Sequence, residues 1–212
     1  MRHACLRMSC LPEAAGNVSR KNNMAEDDQE LLRGMLAGDE ESFAALYVRR
    51  QGAVYRFALH MTGSAPLAED VTQEVFLALL HSGKRFDPAR GTLASFLYGI
   101  ARNLVFRRLD QNRGEPQAVS EEAACDEDLL DDLTRRETIE QVRRAVVSLP
   151  PTYREVLVLC DLESASYEDA AAALDCPIGT VRSRLNRGRA MLAQKLGKIG
   201  YTSKAVSGRS VS

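Results

Sequence analysis

The chain has 212 residues, a formal net charge of -1 at pH 7 and 45% hydrophobic residues, the balance of a packed soluble protein of one ordinary domain or two small ones. No apolar run approaches the roughly 20 residues that span a bilayer, and "MRHACLRMSC" has no apolar stretch of signal-peptide length, so no membrane insertion is expected and the location is read as cytoplasmic. Cys5, Cys10, Cys125, Cys160 and Cys176 show no C-x-x-C spacing, and His3, His60 and His81 are scattered; neither a metal site nor a cysteine function is expected.

Residues 1–25 lack periodicity and read as a disordered extension; "MAEDDQELLRGML" from Met24 looks like a cleaner start, with acids leading into an amphipathic helix. From Asp27 the apolar spacing is helical, broken at "AGDEES", "TGSAP" and "FDPARGT". Asp39, Ser64 and Thr92 are candidate N-caps and Gly63 a helix stop, which gives four helices by about Asn112. The helix Leu67 to Ser82 carries two stripes. Leu67, Val71, Val75, Ala78 and Leu79 form one, while Asp70, Gln73, Phe76, Leu77 and Leu80 form the other. A helix apolar on two sides is buried between neighbours or docks a partner, and the wheel favours burial.

The helix Leu93 to Asp110 has a core stripe of Leu93, Leu97, Ile100, Ala101 and Leu104, with Tyr98, Arg102 and Phe106 opposite at four-residue steps. Aromatic rings beside Arg107, Arg108 and Arg113 suit single-stranded nucleic acid, whose bases need faces to stack upon; packing against a neighbouring helix is the alternative for the aromatics. From Lys84 to Arg113 there are seven basic residues and two acidic ones, and from Glu115 to Asp132 eight acids and no base. Such segregated blocks speak of a polyanionic partner contacted twice. Residues 114–134 are too polar to offset their ordering entropy and read as a flexible acidic linker.

A second helical unit follows over 135–197: Arg136 to Leu149, stopped by Pro150 and Pro151, then Tyr153 to Leu162, then two short helices. Ser166 with Asp169 three residues on has the form of a capping box. Pro177 suits a first helical turn and Asp175 the turn before it. Two short helices across a tight turn make a helix-turn-helix. On the second helix, Ile178, Val181, Leu185, Gly188, Leu192 and Leu196 share the core side. Gly179, Thr180, Ser183, Asn186 and Arg187 face away, flanked by Arg182, Arg184 and Arg189, with Arg182, Asn186 and Arg187 the candidates for base edges. Asp175 is followed by eight Arg or Lys and no acid before Ser212, so this face has the size and chemistry of a major-groove reader, with Arg184 and Arg189 toward phosphate. The tail, 198–212, reads as disordered. No nucleophile and base pair or phosphate-cradling loop is evident, so neither catalysis nor a cofactor is expected.

Two long stretches resemble one family. "AEDVTQEVFLALL" with "FDPARGTLASFLYGIARN" is similar to region two of bacterial sigma factors, and "LPPTYREVLVLCDLESASYEDAAAALDCPIGTVRSRLNRGRAML" to their region four. With nothing resembling regions one or three, the pattern resembles the extracytoplasmic-function group of the sigma-70 family. That resemblance implies an all-α fold of two small helical domains: a region-two bundle over 26–113 and a region-four helix-turn-helix over 135–197, joined by the acidic linker. It implies attachment to core RNA polymerase, with Asp70, Gln73, Glu74, Phe76, Leu77 and Leu80 on the beta-prime clamp helices, reversing the wheel's preference for burial, and the beta subunit as a further contact. It implies minus-ten promoter DNA at Arg85, Phe86, Arg90, Tyr98, Arg102, Asn103 and Phe106. The minus-thirty-five element would fall to Thr180, Arg182, Ser183, Arg184, Asn186 and Arg187. It further implies an anti-sigma partner, and a monomer when free of polymerase. Phe96 stands where the family usually has Trp, and Gly99 where it often has Arg.

Overall fold

The computed structural model describes residues 27–111 and 131–198, with the backbone alone over 131–137. The N-terminal extension with Met24, the acidic linker up to residue 130, Arg113 and the tail beyond Lys198 lie outside the described residues. Among the described residues every regular element is helical. They are α1 (27–36), α2 (Glu40–Thr62), α3 (Ala65–Ser82), α4 (Leu93–Gln111), α5 (Asp131–Val147), α6 (Pro151–Leu157), α7 (Tyr167–Leu174) and α8 (Ile178–Lys198). Two short 3-10 turns, Gly83–Arg85 and Pro88–Arg90, bridge α3 and α4, and a π-helical turn, Val158–Leu162, continues α6. The helix expected from Arg136 begins at Asp131, its sequence up to Gln141 being rich in good helix formers.

The described residues form two compact units, one up to Leu46 and one from Tyr47 onward. In the first, Gly38 adopts φ 92 and ends the turn after α1. Asp39 then caps α2 by accepting from the backbone N–H groups of Glu41 and Ser42 at 3.1 and 3.2 Å. The Ser42 hydroxyl and these two donors hold the Asp39 carboxyl below its ordinary value.

In the second unit, Ser64 caps α3 and Thr92 caps α4, each accepting from the backbone N–H three residues on. Gly63 sits at φ 72 between α2 and α3, where a side chain would be strained and its Cβ would lie 3.2 Å from Val147 of α5. The core takes Val54, Phe57 and Met61 from α2, Val71, Val75 and Leu79 from α3, and Leu97, Ala101 and Val105 from α4, all fully buried. The Phe57 ring packs on Tyr98 at 5.4 Å. Apart from Ala101, each such side chain contributes roughly 1.5–3 kcal/mol over leaving it in water.

The C-terminal helices close on the same unit. Helix α7 starts as its sequence asks, with the Ser166 hydroxyl oxygen accepting from Asp169 N–H at 3.0 Å. It ends with Asp175 at φ 49, while Cys176 N–H bonds back to Ala171 and Asp175 N–H to Ala172. That is a Schellman stop with aspartate in the left-handed position usually given to glycine. Helix α8 then packs Val181 and Leu185 toward α6 and α7, and α7 itself lies against α4.

Candidate nucleic-acid and polymerase interfaces

With Val181, Leu185 and Gly188 buried, the opposite side of α8 presents Arg182, Ser183, Asn186 and Arg187, all exposed, and the half-buried Thr180. Its four arginines are not equivalent. Arg189 is held by Asp161 of the π turn through two hydrogen bonds of 2.6 and 2.9 Å. Arg184 leans inward to Glu155 at 3.7 Å. Arg182 lies over the Tyr167 ring, 5.7 Å from its centroid, so an aromatic face at the start of α7 steadies it. This leaves Arg182 and Arg187 as the outward guanidinium groups of the face, beside the Asn186 amide. The Ser183 hydroxyl donates to the Thr180 carbonyl at 3.0 Å.

The 85–90 loop and α4 form a second surface. Arg85 and Arg90 are exposed, and the Phe86 ring meets Phe96 of α4 at 5.7 Å. Asn103 is exposed, and the Arg102 guanidinium sits over Phe106 at 5.0 Å. These groups are not presented together as one open face. Tyr98 is 8% exposed, its hydroxyl directed to Glu163 at 3.5 Å, and burial first, then Glu163, pushes its phenol well above the ordinary value. Arg102 donates to Glu155 of α6 at 2.7 Å. A cleft of ≈ 880 Å³ remains between this segment and α7 and α8, with Arg85, Phe86, Arg90 and Asn103 among its walls.

On α3 the second stripe divides. Phe76 is 2% exposed and packs edge-on against Tyr47 at 4.7 Å. Leu77 and Leu80 stand 55% and 44% exposed, with Asp70 and Gln73 open beside them. Glu74 is gripped by Arg107, at 2.8 Å, and Arg108 of α4. Two exposed leucines with a carboxylate and an amide thus form an exposed amphipathic strip, with Phe76 packed inward beside it.

The residues that sequence patterning missed are Tyr167, Asp161, Glu155 and Glu163. Each engages a residue of another element, so no local spacing marked them. Cys160 and Cys176 are half-buried; burial lifts the Cys160 thiol to about 11 and raises that of Cys176 as well, which keeps both protonated at neutral pH. No helix of the described residues is long and apolar enough to cross a membrane.

Residues 46–115 match the model of sigma-70 region 2, and residues 139–192 that of sigma-70 region 4. The "Probable RNA polymerase sigma-C factor" of Mycobacterium bovis is 34% identical over 176 residues, covering 80% of this chain and 93% of that one. The chain belongs to the extracytoplasmic-function sigma factors of the sigma-70 family. The "ECF RNA polymerase sigma factor SigE" of Mycolicibacterium smegmatis is 36% identical over 151 residues, 68% of this sigma factor and 58% of that relative. A solved structure, the sigma factor RpoE in complex with the anti-sigma factor NepR from Bartonella quintana, matches with a TM-score of 0.57 and 25% identity, covering 74% of this sigma factor and 98% of that chain. A sigma factor with regions two and four is a transcription initiation factor, acting with RNA polymerase at promoters. The match boundaries place α3, α4 and the 83–92 loop in region two, and α6 to α8 in region four.

Proposed function

We propose that the exposed face of α8 reads the minus-thirty-five element, with Arg182, Asn186 and Arg187 on base edges and Thr180 and Ser183 beside them. Arg184 and Arg189, held by carboxylates of their own fold, steady the helix near phosphate. The observation that carries this reading is the division of α8 into a buried face of Val181 and Leu185 and an opposite face free of acids. Arginine paired to guanine and asparagine to adenine are the contacts such a face supplies. The α3 strip of Asp70, Gln73, Leu77 and Leu80, stiffened by Glu74 and Phe76, docks the beta-prime clamp helices. The beta subunit completes the attachment. The loop residues Arg85, Phe86 and Arg90, with Tyr98, Arg102, Asn103 and Phe106, hold the non-template strand of the minus-ten element.

The magnitudes require the polymerase. Opening a bubble of about ten steps costs on the order of 14 kcal/mol, at about 1.4 kcal/mol per step, whereas each captured base returns roughly 1–3 kcal/mol. A surface with three aromatic rings holds a few bases at most, so the sigma factor selects and pins while the larger enzyme supplies the remainder and the chemistry. Free of polymerase it is a monomer in the cytoplasm, held there by an anti-sigma factor. The test is a promoter panel transcribed by holoenzyme carrying Arg187→Ala. A base-edge role predicts a loss of about 1–3 kcal/mol confined to one minus-thirty-five position; uniform weakening across all promoters reassigns Arg187 to phosphate.

A further inference from the structure

We propose that Asp161 withholds the Arg189 guanidinium from DNA, so that α8 neutralises one phosphate fewer than its arginines could and the free sigma factor stays off bulk duplex DNA. The inference rests on the assignment of α8 to promoter DNA proposed above.

Arg189 follows Arg182 by seven residues, two turns along α8, and so lies on the same side of the helix. Arg182 and Arg187 carry their charge outward, whereas Arg189 is turned back onto the segment that precedes α7. Its Nε donates to one carboxylate oxygen of Asp161 at 2.9 Å and its Nη2 to the other at 2.6 Å. This two-pronged grip takes an edge of the guanidinium that also clasps a phosphate through two parallel bonds, so Asp161 and a DNA phosphate compete for the same atoms. The hydrogen bonds to Asp161 raise the Arg189 guanidinium above its ordinary value, which keeps it charged. Arg184 is different. It stands 3.7 Å from Glu155, a buried carboxylate that also receives Arg102, so its partner belongs to the packed interior. Both members of the pair of Asp161 and Arg189 reach solvent, where an ion pair adds little to stability. Stability alone does not account for a carboxylate aimed at this arginine.

The backbone is shaped to aim that carboxylate. Asp161 lies in the π-helical turn Val158–Leu162. There the Glu163 N–H reaches back five residues to the Val158 carbonyl and the Ala165 N–H six residues to the Leu159 carbonyl, both at 2.9 Å. Ser164 closes the turn at φ 54, a left-handed conformation uncommon outside glycine. A widened turn and a left-handed serine are each less favourable than continued α-helix, and the segment they shape brings Asp161 alongside α8, 28 positions from its partner. Tyr167, whose ring lies under Arg182, stands close to Arg189 as well, so Arg189 has a neighbour in α7 in addition to its carboxylate.

Each phosphate neutralised by a cation steepens the salt dependence of binding by about 0.9 in log K against log salt, whatever the sequence. A guanidinium kept on Asp161 therefore weakens binding to every duplex alike and leaves the reading of bases by Arg182, Asn186 and Arg187 untouched. Random genomic sites vastly outnumber promoters, so the restraint matters most for the chain without polymerase. In the holoenzyme, contacts made by the larger enzyme make up the missing affinity.

The experiment uses the full-length chain as wild type, Asp161→Asn, Asp161→Ala, the double variant Asp161→Asn with Arg189→Ala, and Arg187→Ala. Circular dichroism checks that helix content is unchanged. Fluorescence anisotropy then follows binding to a labelled duplex of random sequence across a salt series from about 50 to 200 mM. Asp161→Asn and Asp161→Ala should bind more tightly than wild type and steepen the salt slope by about 0.9, an advantage that grows roughly threefold from the top of the series to the bottom. The double variant should return to the wild-type slope. A wild-type slope in both Asp161 variants, while Arg187→Ala flattens it, overturns the proposal and leaves α8 on DNA. A gain that survives in the double variant also overturns it, because the carboxylate would then act by its own repulsion of phosphate and not through Arg189. No change in any variant, Arg187→Ala included, overturns the reading of α8 and this proposal together.

Discussion

Replacing Arg154 by methionine tests how the helix ends inside the second unit are satisfied. The Arg154 side chain is buried. It donates to the Met61 carbonyl in the last turn of α2, and through Nε and Nη2 to the Leu149 carbonyl just beyond α5, at 3.3 and 2.9 Å. Last-turn carbonyls lack intrahelical partners, and both Met61 and Leu149 are shut off from water. Burial lowers the Arg154 guanidinium to about 10, far enough above neutrality to stay charged. Methionine keeps the apolar stem and most of the volume, so the loss is that of two acceptors, each roughly 1–3 kcal/mol when left unsatisfied. Removing a buried charge returns part of this, leaving a net destabilisation of about 2–4 kcal/mol. For a chain of this length that lowers Tm by roughly 5–12 °C, read by calorimetry. Arg154→Lys, a point charge without the planar fork, should fall between. A shift under about 2 °C for the methionine variant would show that the two carbonyls find other donors and that the guanidinium does not tie these helices together.

Leu77→Asp on α3 should abolish holoenzyme formation in a pull-down with purified core polymerase while leaving helix content intact, because Leu77 stands 55% exposed; retained binding would move the docking strip elsewhere. Tyr167→Ala removes only the ring beneath Arg182, an exposed cation–π contact of about 0.5–1 kcal/mol. Promoter affinity should drop by no more than about fivefold, and a larger loss would make Tyr167 a DNA contact itself. Burial, then the facing Arg143 and Arg56, hold the His60 imidazole below its ordinary value. A depressed histidine contributes stability that is present above its unfolded value of about 6.5 and is lost as pH falls through that value. Stability should therefore decline from pH 7 toward about 5, where a pH-titrated urea series on His60→Gln loses less. Burial raises Glu155, whose contribution instead fades as pH rises above the ordinary carboxylate value, so the difference between wild type and His60→Gln isolates the histidine. Equal slopes for the two would remove His60 as the source.

What could be read in the sequence was local. The Ser64, Thr92 and Ser166 caps, the Gly63 stop and the Asp175 turn depend on residues within a few positions of one another, and the two faces of α8 follow from its own periodicity. The second stripe of α3 was harder, because a wheel places Phe76 and Leu80 on one side and carries no knowledge of Tyr47. The ring went inward to Tyr47 while Leu77 and Leu80 stayed out. Least legible were the polar contacts across α4. Arg102 and Glu155 are 53 positions apart, and Arg56 and Glu163 are 107 apart, so composition showed blocks of opposite charge but not which acid would meet which base. The same distance hid the inward turn of Arg184 and Arg189, whose carboxylate partners belong to α6 and the π turn.

Promoter selection by this sigma factor is tested most directly by sequencing the 5′ ends of RNA made in vitro by purified core polymerase from genomic DNA, with and without the chain. A promoter-selecting subunit predicts a new set of start sites that appears only with the chain and shares two conserved blocks upstream, the farther of which loses one position when Arg187 is alanine. The same start sites with and without it would contradict the assignment.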